Sequence, residues 1–284
     1  MRLLTYTRYL WRKIKFYDNL ANTTKTFLQN PFLSKDKSMT IVWVEDDDSD
    51  AFFKMWFCVN LRIEEKGVNM ELNKYIEHTL LKQDATKEDF VKLFDEAKKY
   101  NFLGVCVNPA YVEMAKEYLA ETDVKIVTVV GFPLGACKTE TKIFETLTAV
   151  KDGADEIDMV INVTDLKNKN YDKVLYEITA IKTACAGKLL KVIVETDLLS
   201  RDEIAKVSEL VVKAGADIIK TSTGFVKGGV GAKVEDVQLM ASIVKPNGLG
   251  VKASGGIKTK EQALALIEVG ATRLGTSSGV AIVS

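Results

Sequence analysis

The chain has 284 residues with 39 Lys and Arg against 39 Asp and Glu, so its formal charge is zero and nothing global draws it to nucleic acid or to a membrane surface. A single histidine, His78, excludes a His-rich metal site, and no apolar run approaches the ~20 residues a membrane helix needs. Cys58, Cys106, Cys137 and Cys185 are scattered without a CxxC pair, which fits free thiols in a reducing compartment better than a disulfide framework.

Residues 1–70 read as an N-terminal extension. All three tryptophans, Trp11, Trp43 and Trp56, lie there, behind a basic start that includes Arg2, Arg8 and Arg12. Such a start fits an organelle presequence, and it fits equally a surface extension or a misplaced start, with Met39 and Met70 as alternatives. The acidic cluster from Glu45 to Asp50 lacks the Gly and bidentate Glu of a calcium loop and reads as a solvated linker.

From residue 71 to 284 the pattern becomes regular, with short apolar runs alternating with stretches of helical period. Strands are expected over Tyr75–Leu80, Leu103–Asn108, Lys125–Phe132, Glu156–Asn162, Leu189–Thr196, Asp217–Ser222, Gly250–Ser254 and Arg273–Ser277. Between them, Thr86 with Asp89, Ser200 with Glu203, and Thr259 with Gln262 have the spacing of capping boxes. Asn108 before Pro109 reads as a further helix start, and Val237, Met240, Ala241 and Val244 form an apolar stripe. A Gly-Ala echo before three strands, in D-G-A-D-E-I-D, A-G-A-D-I-I-K and V-G-A-T-R-L-G, supports a repeated unit. Eight such units imply an α/β fold, a (β/α)8 TIM barrel whose site lies at the carboxyl ends of the strands. The last helix is expected to be short or absent, with the extension able to cover part of that gap.

Three charges interrupt three apolar strands. Lys220 ends one just before a Thr-Ser-Thr-Gly turn, Lys252 closes the next before a Gly pair, and Asp158 lies inside E-I-D-M-V-I-N. One such lysine could snorkel from an edge strand; three embedded charges in one barrel point to chemistry. A free lysine, with pKa near ~10.4, is protonated at neutral pH, and burial or a neighbouring cation lowers that value. Either lysine could therefore serve as a nucleophilic amine. Lys220 is the choice because of its hydroxyl-rich turn, with Lys252 as the second cation and Asp158 as general acid/base through a water. The ordinary alternative is a buried ion pair serving fold specificity. Gly224, Gly255, Gly256, Ser277 and Ser278 form turns on adjacent loops able to hold a phosphate.

Taken together, D-I-I-K-T-S-T-G-F, V-K-A-S-G-G-I, D-E-I-D-M-V-I-N, V-V-G-F-P-L-G and G-V-C-V-N-P resemble the deoxyribose-phosphate aldolase family, with the similarity running from Ile76 to Val283. The resemblance implies an enzyme that needs no metal or other cofactor. It would cleave 2-deoxy-D-ribose 5-phosphate reversibly to D-glyceraldehyde 3-phosphate and acetaldehyde through a lysine Schiff base, in deoxyribonucleotide and deoxyribose phosphate catabolism. It further implies a cytoplasmic homo-oligomer, dimer or tetramer, with a phosphorylated sugar and a small aldehyde as its partners.

Carried over by position, the Schiff-base lysine falls on Lys220, the second lysine on Lys252, and the relay aspartate on Asp158. The phosphate turns fall on Gly224, Gly255, Gly256, Ser277 and Ser278, and Thr79 is placed toward the substrate by the resemblance alone. Many members carry Asp where this chain has Glu77, and some carry a lysine where it has Phe225; Lys227 lies close. His78 and Cys106 read as structural residues. The rivals are another Schiff-base aldolase or transaldolase, and a non-catalytic barrel.

Overall fold

The structure, a computed structural model, describes residues 71–284. The expectations for residues 1–70 lie outside the described residues. Eight parallel strands pair in sequence order: β1 (Ile76–Leu80), β2 (Gly104–Val107), β3 (Lys125–Val130), β4 (Glu156–Val160), β5 (Leu189–Ile193), β6 (Ile218–Lys220), β7 (Gly250–Ser254) and β8 (Arg273–Thr276). Pairing of β8 with β1 closes the sheet into a barrel. The fold is the expected TIM barrel.

The helices are α1 (Lys87–Lys99), α2 (Val112–Tyr118), α3 (Thr139–Asp152), α4 (Val163–Lys167), α5 (Tyr171–Ala184), α6 (Arg201–Lys213), α7 (Val234–Val244), α8 (Lys260–Glu268) and α9 (Gly279–Val283). All three capping boxes form, at Thr86, Ser200 and Thr259, so each helix start has two otherwise orphaned N–H groups satisfied. Gly153, Gly215 and Gly270, the glycines of the echo, all take positive φ, which turns the chain from helix back to strand. Asn108 behaves differently from its expected capping role. It makes no side-chain cap bond, and Pro109 opens a short 3-10 turn ahead of α2.

Several strands are shorter than the sequence suggests. β3 stops at Val130 because Gly131 turns to φ 65°, and β5 stops at Ile193 because the backbone breaks at Glu195, at φ 61°. Apolar residues continue past both points, so hydrophobicity alone overran the true ends.

Alternation along the strands explains where the charges go. In β4, Ile157 and Met159 point outward into the main core against the helices; in β5, Leu190 and Val192 do so; in β7, Val251 and Ala253. Each fully buried Val, Ile or Leu of this kind contributes about 1.5–3 kcal/mol. The opposite parity faces the barrel axis and carries Glu156, Asp158, Lys191, Lys220 and Lys252. A smaller apolar cluster of Leu81, Cys106, Val127 and Val129, with Phe132 against it, lies apart from the main core.

Candidate active site

The strand register brings the charges together. Lys220 is paired directly with Lys252 across β6 and β7, and Asp158 with Lys191 across β4 and β5. Asp158 is the hub: its Oδ2 accepts hydrogen bonds from Lys220 Nζ at 2.7 Å and Lys252 Nζ at 2.6 Å, while Oδ1 accepts from Lys191 Nζ at 2.9 Å. Asp158, Lys191 and Lys252 are fully buried, and Lys220 is 3% exposed. The sequence placed Asp158, Lys220 and Lys252 in one site, and all three meet there.

Lys191 is the member that sequence reading passed over. It interrupts the apolar run L-L-K-V-I-V just as Lys252 interrupts its own strand, so the signal was present. It also pairs with Glu156 at 2.5 Å and Glu77 at 3.4 Å. Glu77, buried on β1, accepts a hydrogen bond from Lys252, and Glu156 pairs with Arg273 at 3.4 Å. Glu77 and Glu156 are acids that only the closed barrel brings within reach of these bases.

The two central lysines differ in environment. Burial lowers the pKa of Lys220, with Lys252 pushing the same way and Asp158 only partly opposing. Burial acts against the charge of Lys252 too, but Asp158 and Glu77 together outweigh it and raise its pKa. Burial likewise disfavours ionised Asp158, yet Lys191, Lys220 and Lys252 hold its carboxyl well below the usual range. The charge count agrees: Lys191, Lys252 and Arg273 balance Glu77, Glu156 and Asp158, which leaves Lys220 as the lysine whose neutral form keeps the buried cluster uncharged.

Around this cluster the strand ends supply polar turns. Gly224, Gly255 and Gly256 all have positive φ. The turns after β6 and β7 pack backbone to backbone: a Cβ on Gly256 would lie 2.3 Å from Val230 O, and one on Gly231, which the sequence reading did not single out, 2.4 Å from the Gly255 carbonyl carbon. After β8, Ser277 is exposed and Ser278 half-buried, with Ser278 N donating to Thr276 Oγ1. Thr79 shares the inward parity of Glu77 one step nearer the mouth, and its hydroxyl donates to Glu77 O at 2.9 Å. Phe225 is half-exposed and meets Phe132 edge-on at 5.1 Å.

His78 points outward, its Nε2 2.8 Å from Glu96 Oε2 and its ring 5.1 Å from Phe102, so it is a structural residue as expected. Cys106 is fully buried in the small apolar cluster. Among the described residues no group of three or more His, Cys, Asp or Glu is placed to hold a metal ion.

A family model described as DeoC/LacD family aldolase matches residues 72–284. The chain belongs to this aldolase family. It is 57% identical over 214 residues to a deoxyribose-phosphate aldolase of Finegoldia magna, covering 75% of this chain and 99% of that one. Identity to the deoxyribose-phosphate aldolase of Enterococcus faecalis is 55% over 216 residues, covering 76% and 97%. Among solved structures, a tetrameric deoxyribose phosphate aldolase from Aeropyrum pernix is similar with a TM-score of 0.69 and 36% identity, over 74% of this chain and 88% of that one. The matched span of the family model covers all eight strands and every charged residue of the buried cluster.

Proposed function

We propose that this aldolase cleaves 2-deoxy-D-ribose 5-phosphate reversibly to D-glyceraldehyde 3-phosphate and acetaldehyde through a Schiff base on Lys220. The observation that carries the reading is the shared Asp158 oxygen, with Lys220 shifted toward its neutral form and Lys252 toward its charged form beside it. A neutral Lys220 amine attacks the aldehyde carbon of the open-chain sugar, and loss of water with uptake of one proton from solvent gives a protonated imine. Asp158, acting through a water, takes the proton of the C3 hydroxyl. The C2–C3 electrons then move into the imine, releasing glyceraldehyde 3-phosphate and leaving a neutral enamine. Protonation of the enamine carbon and hydrolysis of the imine release acetaldehyde and restore the amine.

The cluster is neutral when Lys220 is neutral, so the iminium adds one uncompensated charge to a desolvated site. Forming the enamine discharges the imine nitrogen while the C3-hydroxyl proton passes through the water to Asp158, which returns it to the enamine carbon. Lys252 stays protonated beside Asp158 and holds that carboxylate in place. The phosphate is assigned to the turns of Gly224, Gly255, Gly256, Ser277 and Ser278, and Thr79 to the inner wall facing the substrate.

Resemblance to named relatives supports a place in deoxyribonucleotide and deoxyribose phosphate breakdown, a homo-oligomeric state and a cytoplasmic setting, with import through residues 1–70 as the alternative. The barrel over residues 71–284 is assigned the whole activity. Release of glyceraldehyde 3-phosphate from 2-deoxyribose 5-phosphate, followed with a coupled assay in the presence of chelator, tests the function. Turnover by the full chain and by a version starting at Met70, lost in Lys220→Leu, is the expected result. Activity with dihydroxyacetone phosphate and none with acetaldehyde would instead mark a different Schiff-base aldolase.

A further inference from the structure

Glu195 takes no part in the reaction described above, yet it is built into the mouth of the barrel at a cost. It lies two positions past the end of β5 and adopts φ 61°, ψ 67°, the left-handed region where a glycine would fit freely and a residue with a Cβ is strained. Its side chain is buried, the residue being 4% exposed. Among the described residues, all of the hydrogen bonds its carboxylate accepts come from one residue. Thr223 N donates to both carboxylate oxygens, at 3.2 and 3.3 Å, and Thr223 Oγ1 donates to Oε2.

Thr223 lies three positions beyond Lys220 and immediately before Gly224. Its Oγ1 also accepts a hydrogen bond from Phe225 N at 3.1 Å. A hydroxyl has one proton and two lone pairs. Here the proton is committed to Glu195 and one lone pair to Phe225, so a single lone pair remains, on a half-buried residue at the mouth. A carboxylate accepting three hydrogen bonds cannot donate back and reverse this polarity. Burial and the neighbouring Asp197 carboxylate push the Glu195 carboxyl up, and the bonds from Thr223 only partly oppose that shift.

We propose that Glu195 is a positioning residue that fixes the Thr223 hydroxyl as a hydrogen-bond acceptor for a hydroxyl of the phosphorylated substrate, and so selects a hydroxylated chain. The proposal rests on the aldolase function above. Open-chain 2-deoxyribose 5-phosphate carries hydroxyls at C3 and C4, between the carbon joined to Lys220 and the phosphate. Along the chain Thr223 lies between Lys220 and Gly224, the first glycine of the turns assigned to the phosphate. Acetaldehyde offers no hydroxyl and makes no use of this acceptor. A site built to bond a hydroxyl discriminates strongly against chains lacking it, because its own polar group is then left unpaired.

The test is Glu195→Gln, which keeps the side-chain shape but turns an amide donor toward Thr223 Oγ1 and occupies the remaining lone pair. Two quantities are measured: KM and kcat for 2-deoxyribose 5-phosphate, and the rate of borohydride trapping with acetaldehyde alone. KM is expected to rise roughly tenfold, as for loss of one substrate hydrogen bond, with trapping changed less than about twofold. Thr223→Val is expected to behave alike, Thr223→Ser to keep the wild-type KM, and Glu195→Gln to add nothing in the Thr223→Val background. These threonine variants decide the matter if Glu195→Gln does not fold. An active wild type with unchanged KM in Glu195→Gln, or with an equal loss in trapping and cleavage, overturns the proposal alone. A wild type that does not cleave the sugar phosphate overturns the assigned function and the proposal together.

Discussion

Lys220 and Lys252 sit opposite one another in the β6–β7 register and donate to the same oxygen of Asp158, at 2.7 and 2.6 Å, yet their protonation equilibria are pushed in opposite directions. The difference lies in Glu77. Its carboxylate reaches Lys252, so Lys252 has two acidic partners where Lys220 has one. A single buried glutamate thereby distinguishes a nucleophile from a fixed cation.

Replacing Lys252 by Met should reverse part of that arrangement. Loss of the neighbouring cation raises the pKa of Lys220, so less of it is neutral at pH 7 and the pH–rate profile for imine formation moves to higher pH. Each unit of pKa costs about tenfold in the neutral fraction below the pKa. The profile of borohydride trapping with acetaldehyde reads this shift directly. The substitution also weakens folding, because among the described residues Glu77 keeps only Lys191, at 3.4 Å.

Asp158→Asn should separate imine formation from bond cleavage. Lys220 loses the carboxylate that favours its charged form, so it remains neutral enough to react and the trapped adduct still forms. Cleavage, which needs the proton taken from the C3 hydroxyl, falls by roughly 10²–10⁴-fold. Parallel measurement of trapping and of glyceraldehyde 3-phosphate release checks this; loss of both in step would assign Asp158 to the imine stage instead.

Much of this site is visible in the chain itself. Lys220, Lys252 and Asp158 each break an apolar strand, and two-residue alternation sends them to one side of the sheet; Lys191 obeys the same rule and could have been found by it. Glu77, Glu156 and Arg273 could not, because their meaning comes from partners across a closed barrel: Glu77 and Lys252 are brought together only when β8 pairs with β1. Glu195 left no local mark either, since its strained backbone and its bonds to Thr223 arise between two strand ends. Helix starts were legible because a capping box is a local exchange of hydrogen bonds, as at Thr86 and Asp89.

Acid should unfold the protein in a way that depends on Asp158. Its folded-state pKa lies well below the unfolded value of about 3.9, so its contribution is complete above that value and is lost as pH falls toward the folded pKa. In that window stability declines by up to about 1.4 kcal/mol per pH unit from this group. Thermal melts extended from about pH 5 to about pH 2 should show a shallower acid limb in Asp158→Asn than in the wild type.

A second buried pair supports β4 from outside the barrel. Lys142 Nζ on α3 donates to Val160 O at 2.7 Å and to Glu177 Oε1 on α5 at 2.6 Å, while Glu177 Oε2 accepts from Asn162 N at 2.9 Å. Lys142→Met strands the glutamate and should destabilise the fold by about 3–5 kcal/mol. Adding Glu177→Gln should recover part of that loss, and denaturant titration of the three variants measures it. Additive losses would show that the two side chains are not coupled.

The central claim is that Lys220 is the amine that forms the Schiff base, and peptide mapping by mass spectrometry after treating the full chain with acetaldehyde and borohydride tests it most directly. An N-ethyl group is expected on Lys220 and none on Lys252 or Lys191, with no adduct in Lys220→Leu. Modification of Lys252 in place of Lys220, or an adduct that persists in Lys220→Leu, would contradict it.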